Sequence, residues 1–169
     1  MFQYREDAEK VMRALKVRLA KFGLELAEDK TRIVPIGRFN RGKSEFDFLG
    51  FTFFDAVSRK GFYKLGIRSS SKKIASKRAG IKQWLKSRMH QPMVETLKTI
   101  DRKLRGHYNY YGVNGNFRAL QKFEDYLRLC TLMMLRRRSQ RKKITEKKFS
   151  ELWELFVSPP RITVQIWGQ

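Results

Sequence analysis

Apolar positions recur at three- and four-residue steps through most of this chain, and at two-residue steps in one short region. Ala8, Val11, Met12, Leu15, Leu19 and Phe22 fall at helical spacing and predict a helix over 5–27, interrupted near its end by Gly23. Lys30 to Ile36 is rich in β-branched residues and stops at Pro35-Ile36-Gly37, which predicts a short strand. A polar connection over Arg38 to Ser44 follows. Glu45 to Phe54 predicts another strand, bent at Gly50. In Gly61 to Arg68 the pattern alternates, with Phe62, Lys64, Gly66 and Arg68 on one face and Tyr63, Leu65 and Ile67 on the other. These segments predict a small antiparallel sheet of two or three strands.

At Ser69-Ser70-Ser71 the period changes. The serines predict a cap and hinge into a helix over 72–89, with Ile74, Ile81, Trp84 and Leu85 inward. Pro92 fits the first turn of the next helix, whose stripe is Met93, Leu97, Ile100, Leu104 and Tyr108. Gly112 to Asn116 is a turn cluster, and Asn116 fits the N-cap of a third stripe: Phe117, Leu120, Phe123, Leu127, Cys130 and Met134. Thr145 fits the cap of a last helix carrying Phe149, Leu152, Trp153 and Phe156, which Pro159-Pro160 stops. Residues 161–167 alternate weakly, as a short strand or an extended tail. No internal repeat is visible. The expected fold is α+β and mainly helical. A small antiparallel sheet piece occupies residues 1–68, a basic helical bundle 69–156, and a tail 157–169.

Charge changes this picture most. Across 169 residues, 38 Lys and Arg stand against 16 Asp and Glu, a formal net charge of +22. A folded body with that charge repels itself, so a polyanion is the economical partner, nucleic acid first. The rival is a membrane surface, which calls for an isolated basic amphipathic anchor; here the basic helices also carry core-like stripes. No apolar run approaches the ~18 residues that crossing a bilayer requires. Cys130, the single cysteine, lies in an apolar helical run and reads as a buried thiol rather than a nucleophile. Met1-Phe2-Gln3-Tyr4-Arg5-Glu6 does not read as a signal peptide, which implies a cytoplasmic protein.

Catalytic constellations are hard to assemble. Two histidines and one cysteine do not make a zinc site. Neither GxxxxGK[ST] nor GxGxxG occurs. Two-metal phosphoryl transfer needs carboxylates converging on ions about 4 Å apart. The adjacent acids Glu6-Asp7 and Glu124-Asp125 sit on predicted helices, where sequence neighbours point to different faces. No catalytic residue, metal ligand or cofactor is therefore assigned.

Binding features are richer. From Ala56 to Val94 there is no Asp or Glu, against eleven Lys and Arg. On the predicted helix over 72–89, Lys72, Lys73, Lys77, Arg78, Lys82 and Lys86 are candidate phosphate contacts, with a merely solvated face as the alternative. A second patch is Arg136-Arg137-Arg138 with Arg141-Lys142-Lys143, read either as an RNA-ordering loop or as a solubilising run. A third stretch is Arg105-Gly106-His107-Tyr108-Asn109-Tyr110-Tyr111-Gly112. Here Arg105, His107, Tyr108, Asn109 and Tyr111 are candidates for stacking and hydrogen-bonding unpaired bases. The alternative is that Tyr108 and Tyr111, which lie on the apolar stripe, belong to the core. Both readings stand at this point.

Three segments in order carry a family resemblance: Lys21-Phe22-Gly23-Leu24-Glu25-Leu26, then Lys30-Thr31-Arg32, then Phe46-Asp47-Phe48-Leu49-Gly50-Phe51-Thr52-Phe53. They resemble the end of the palm in group II intron reverse transcriptases, the intron-encoded maturases. Leu104 to Gly112, followed by Phe117, Leu120 and Phe123, resembles the maturase-specific domain. The resemblance implies that Lys30 lies in the palm motif following the catalytic aspartates. It implies that Phe48, Leu49, Gly50 and Phe51 form a primer-grip turn. Residues from about 70 onward would be the thumb, or domain X, which holds intron RNA and the template–primer duplex and so assists splicing and retrohoming. The family's YADD-type aspartate pair would precede residue 1, and Mg2+ is expected only for the complete polymerase. The expectation is an RNA-binding C-terminal portion of such a protein, not active alone. Other classes remain: one half of a split RNA-directed DNA polymerase, or a generic basic nucleic-acid-binding protein. Exposed strand edges suggest self-association or pairing with a fingers–palm piece.

Overall fold

The computed structural model describes residues 2–38, 44–138 and 144–166. Its elements run α1 (Arg5–Ala20), β1 (Glu45–Phe48), β2 (Phe51–Val57), β3 (Tyr63–Ser69), α2 (Ser71–Ser87), α3 (Met93–Tyr111), α4 (Phe117–Arg138) and α5 (Glu146–Phe156). The strands form one antiparallel sheet in the order β1-β2-β3. The fold is α+β and mainly helical, as the patterning predicts. Two compact units emerge: Met1–Phe46 with Asp55–Lys64, and Asp47–Phe54 with Leu65–Gln169.

In the first unit, α1 stops at Ala20 rather than at residue 27. Gly23 takes a left-handed φ of 68°, and the Leu24 N–H turns back to the Leu19 carbonyl at 3.0 Å, which closes the helix. No residue of α1 is buried. Its apolar stripe instead lines an open groove of about 570 Å³ with Ile33, Val34, Pro35 and Ile36. The strand expected over 30–36 is irregular chain. A strand needs a ladder partner, and among the described residues none pairs with it. Asp55 anchors the segment's far end: its Oδ1 accepts from the Gly37 N–H at 3.3 Å and from the Tyr63 hydroxyl at 2.7 Å. Burial and that carboxylate push the Tyr63 hydroxyl up to about 12.

The second unit holds the main core. Leu97, Ile100, Leu104 and Tyr108 of α3 are fully buried, packed with Ile81 and Leu85 of α2, Leu120, Phe123 and Leu127 of α4, and Phe149 and Trp153 of α5. Each residue falls on a stripe read from sequence, because helical spacing puts i, i+3 and i+4 on one face. Thr145 caps α5 by accepting from the Lys148 N–H at 3.4 Å. Pro92 stands one position earlier than expected, as the residue preceding α3. After α5, residues 161–166 run extended beside the α3–α4 turn. The Thr163 N–H donates to the Gly112 carbonyl at 2.7 Å, and Val113 and Val164 form a parallel bridge.

The strand expected over 45–54 is a hairpin. Leu49 and Gly50 both take positive φ, 47° and 79°, as a two-residue type I′ turn requires. Asn116 holds the other end of this sheet. Its backbone carbonyl accepts from Ala119 and Leu120 N–H groups at the start of α4, the N-cap position. Its side chain turns elsewhere: Oδ1 accepts from the Ser69 N–H at 2.9 Å, and Nδ2 donates to Ser69 Oγ and the Tyr111 carbonyl, both at 2.8 Å. Asn116→Ala strands a buried N–H and a buried carbonyl, so it should cost about 3 kcal/mol. Chemical denaturation should register that loss, whereas a cost near the ~1 kcal/mol of a lost cap would show that the junction does not depend on it.

Candidate nucleic-acid interface

Helix α2 has a core face and an open face. Ile81 and Leu85 are buried. Lys72, Lys73, Lys82 and Lys86 are exposed, as is Arg88 just beyond the helix end. Interspersed with these lysines are Ala75, Ser76, Ala79, Gly80 and Gln83, all exposed and none acidic. A phosphate backbone therefore meets neither a competing carboxylate nor a bulky side chain there.

Two expected phosphate contacts are drawn inward. Lys77 is half-buried; its Nζ lies 2.9 Å from His107 Nδ1 and 5.6 Å from the ring centres of Tyr111 and Phe123. Burial lowers its pKa, and Lys103 adds to the effect. Arg78 lies 4.9 Å from the Tyr126 ring centre and donates to the Lys122 carbonyl at 3.3 Å. Lys77 braces α2 against α3 and α4, and Arg78 braces it against α4, both through aromatic faces.

The motif over 105–112 divides by helical position. His107 and Tyr108 are 1% and 0% exposed, and Tyr111 is buried. Tyr108 and Tyr111 adopt the core alternative, and His107 is buried with them. Arg105 is exposed, with a Nη1 3.9 Å from Asp101 Oδ2, and Asn109 is exposed. Tyr110, absent from the sequence-derived candidates, is 52% exposed. It lies off the Leu104/Tyr108/Tyr111 stripe, and that offset was the available signal. Its hydroxyl donates to the Leu49 carbonyl at 2.7 Å, and its ring stacks on Phe51 with 13° between planes.

The Leu49-Gly50 turn is thus clamped from several sides. The Ser70 N–H donates to the Gly50 carbonyl at 2.8 Å. A Cβ on Gly50 would stand 2.7 Å from the Tyr111 hydroxyl, so only glycine fits. Asp47 accepts from the Thr52 hydroxyl and, at 3.1 Å, from Ser70 Oγ. The Thr52 hydrogen bond lowers its pKa; burial opposes this, and the Ser70 hydrogen bond with the charges of Lys72 and Arg68 adds to the lowering. Around this clamp Phe48 and Leu49 stay exposed, while Gly50 and Phe51 are half-buried.

The remaining candidates scatter. Arg136 Nη2 lies 3.9 Å from Glu146 Oε2, and Arg137 is exposed. Arg138 donates to the Arg88 carbonyl at 3.1 Å, binding the end of α4 to that of α2. Arg141, Lys142 and Lys143 lie outside the described residues. Lys30 is exposed in a turn of the first unit. Among the described residues no group of three or more His, Cys, Asp or Glu is placed to hold a metal, and no helix is long and apolar enough to cross a membrane.

Residues 74–153, from the first turn of α2 to the last of α5, match the family model of the group II intron maturase-specific domain. The chain thus carries a domain similar to the maturase-specific domain of group II intron proteins. Searches of curated proteins and of solved structures gave no match. The helical core, Lys82 and Lys86 of the open α2 face and the Arg105–Tyr111 motif fall in the matched span, which Lys72 and Lys73 immediately precede, and a maturase-related role in group II intron splicing follows.

Inside that domain His107 carries a pH dependence. The Lys77 ammonium donates to Nδ1, which leaves the proton on Nε2 and the ring neutral. Burial, and next the Lys77 charge, push its pKa down to about 3. The unfolded chain takes up this proton near pH 6.5 and the folded chain does not. The stabilisation is complete above that pH and is lost as pH falls toward 3, by up to about 1.4 kcal/mol per pH unit. His107→Gln should flatten the acid limb of a stability–pH curve between pH 6 and 4. An unchanged limb would show that His107 titrates normally.

Proposed function

We propose that this chain binds folded group II intron RNA through the maturase domain, with the exposed face of α2 as the principal phosphate-contacting surface. The observation that carries this reading is the acid-free stretch from Ala56 to Val94, whose lysines at 72, 73, 82 and 86 stay exposed on one helix while the core residues of that helix are buried. Binding of this kind holds the RNA in a productive fold, and the RNA performs the splicing chemistry. In the same reading the clamped turn at Phe48 to Phe51 acts as the primer-grip element that the resemblance implies, and the domain also holds a template–primer duplex during retrohoming.

Each lysine that meets a phosphate releases condensed counterions from the RNA, so affinity falls with salt in proportion to the number of contacts. Replacing Lys72, Lys82 and Lys86 together with Ala should weaken binding to intron RNA. It should also reduce the slope of log K against log salt by about two to three. Filter binding across a potassium chloride series reads both quantities. A triple variant with the parental slope would remove α2 from the interface.

The open apolar groove along α1 favours an additional reading. A helix with Val11, Leu15 and Val17 exposed leaves apolar surface in water that a partner piece would cover. Paired with a fingers–palm piece of a group II intron reverse transcriptase, the chain would complete a split RNA-directed DNA polymerase. Co-elution of the two pieces and primer extension by the mixture test this. Separate elution with no extension would reject it.

A further inference from the structure

Leu49 breaks two local rules at once. It occupies the first central position of a type I′ turn, where positive φ favours Asn, Asp or Gly. Its side chain is also 68% exposed, so burial does not offset the strain. An exposed leucine alone means little, and a left-handed residue alone can be tolerated. Together they describe an apolar side chain held outward against its own backbone preference, and strain of this kind collects at ligand-binding positions. Its neighbours fit such a position. Phe48 is 58% exposed, and Tyr110 presents a half-open ring backed by Phe51. The Tyr110 hydroxyl and the Ser70 N–H hold the carbonyls of the two turn residues, so the tip is fixed before any ligand arrives.

We propose that Phe48, Leu49 and Tyr110 form a stacking site for one unpaired nucleobase of the bound RNA, and that Tyr110 doubles as the positioning residue for the turn. The proposal rests on the RNA-binding reading above and names the group that this surface takes. Charge complementarity selects the occupant. The chain carries +22 overall, and Lys72 and Arg68 lie close enough to Asp47 to lower its pKa, so a nucleic-acid strand is drawn to this side of the turn. The lysines of α2 read only backbone charge, which a base-paired stem supplies. A flat apolar and aromatic surface takes the π-face of a base, which a stem hides in its stack.

The experiment compares two RNAs: a hairpin with a short single-stranded tail carrying 2-aminopurine, and a closed dumbbell with the same stem. The wild type should bind the tailed RNA about tenfold more tightly and change the 2-aminopurine fluorescence. Leu49→Asn relieves the turn and should raise Tm by a few degrees, yet it should lose most of the tail preference and the fluorescence change. Tyr110→Phe keeps the ring but frees the Leu49 carbonyl, and should weaken tail binding several-fold. A Leu49→Asn variant with the parental tail preference, or with a lower Tm, would overturn the proposal. Equal binding of the dumbbell and the tailed RNA by the wild type would overturn it while leaving the RNA-binding reading intact. Binding to neither would overturn both.

Discussion

The side-chain amide of Asn116 joins three parts of the second unit that are distant in sequence. It takes the Ser69 N–H at the end of β3, the Ser69 hydroxyl, and the Tyr111 carbonyl at the end of α3, while its own backbone opens α4. In a site 1% exposed, no water replaces a lost partner. This amide therefore fixes where the sheet ends and where α2 begins. Ser70, next along the chain, then reaches the Gly50 carbonyl and Asp47. The open face of α2 and the clamped hairpin turn both descend from that junction.

Electrostatics and packing divide the cations between two jobs. A helix with six Lys and Arg and no acid cannot neutralise itself. Lys77 and Arg78, at the margins of its core face, are taken up by aromatic rings from α3 and α4 and by the His107 nitrogen. Burial disfavours a charged lysine, and a neutral imidazole supplies an acceptor that limits the cost. Among the described residues the lysines farther round the helix meet no such ring or imidazole, and they remain exposed. The cations that brace the packing and those left exposed are thus sorted by a difference in helical angle, not by residue type.

The bundle was legible because its signal is local and periodic: Leu97, Ile100, Leu104 and Tyr108 form a stripe, and a stripe that long must be buried. The Tyr108 and Tyr111 ambiguity resolves on the same ground, since both continue it. The hairpin was hidden because Leu49 stands where the turn code asks for Asn or Gly, so the run read as one bent strand. Asn116 read as a helix cap, which describes its backbone; its side-chain partner at Ser69 is 47 residues away and leaves no mark in the local sequence. Lys77 and Arg78 read as candidate phosphate contacts because the rings that claim them come from other helices. Tyr110 escaped notice for being off the stripe, which is also what leaves it exposed. For α1 the stripe predicted the helix but could not supply a partner for it.

The central proposal is that the chain meets RNA through the open face of α2 and the clamped turn beside α3. Amide and methyl NMR spectra of the full chain, recorded while a group II intron RNA domain is titrated in, test it directly. The account predicts shifts concentrated on Lys72 to Lys86 and on Leu49 and Tyr110, with the core signals of Leu97, Ile100 and Leu104 unmoved. Shifts confined to α1 or to residues 161–166, with α2 silent, would contradict it.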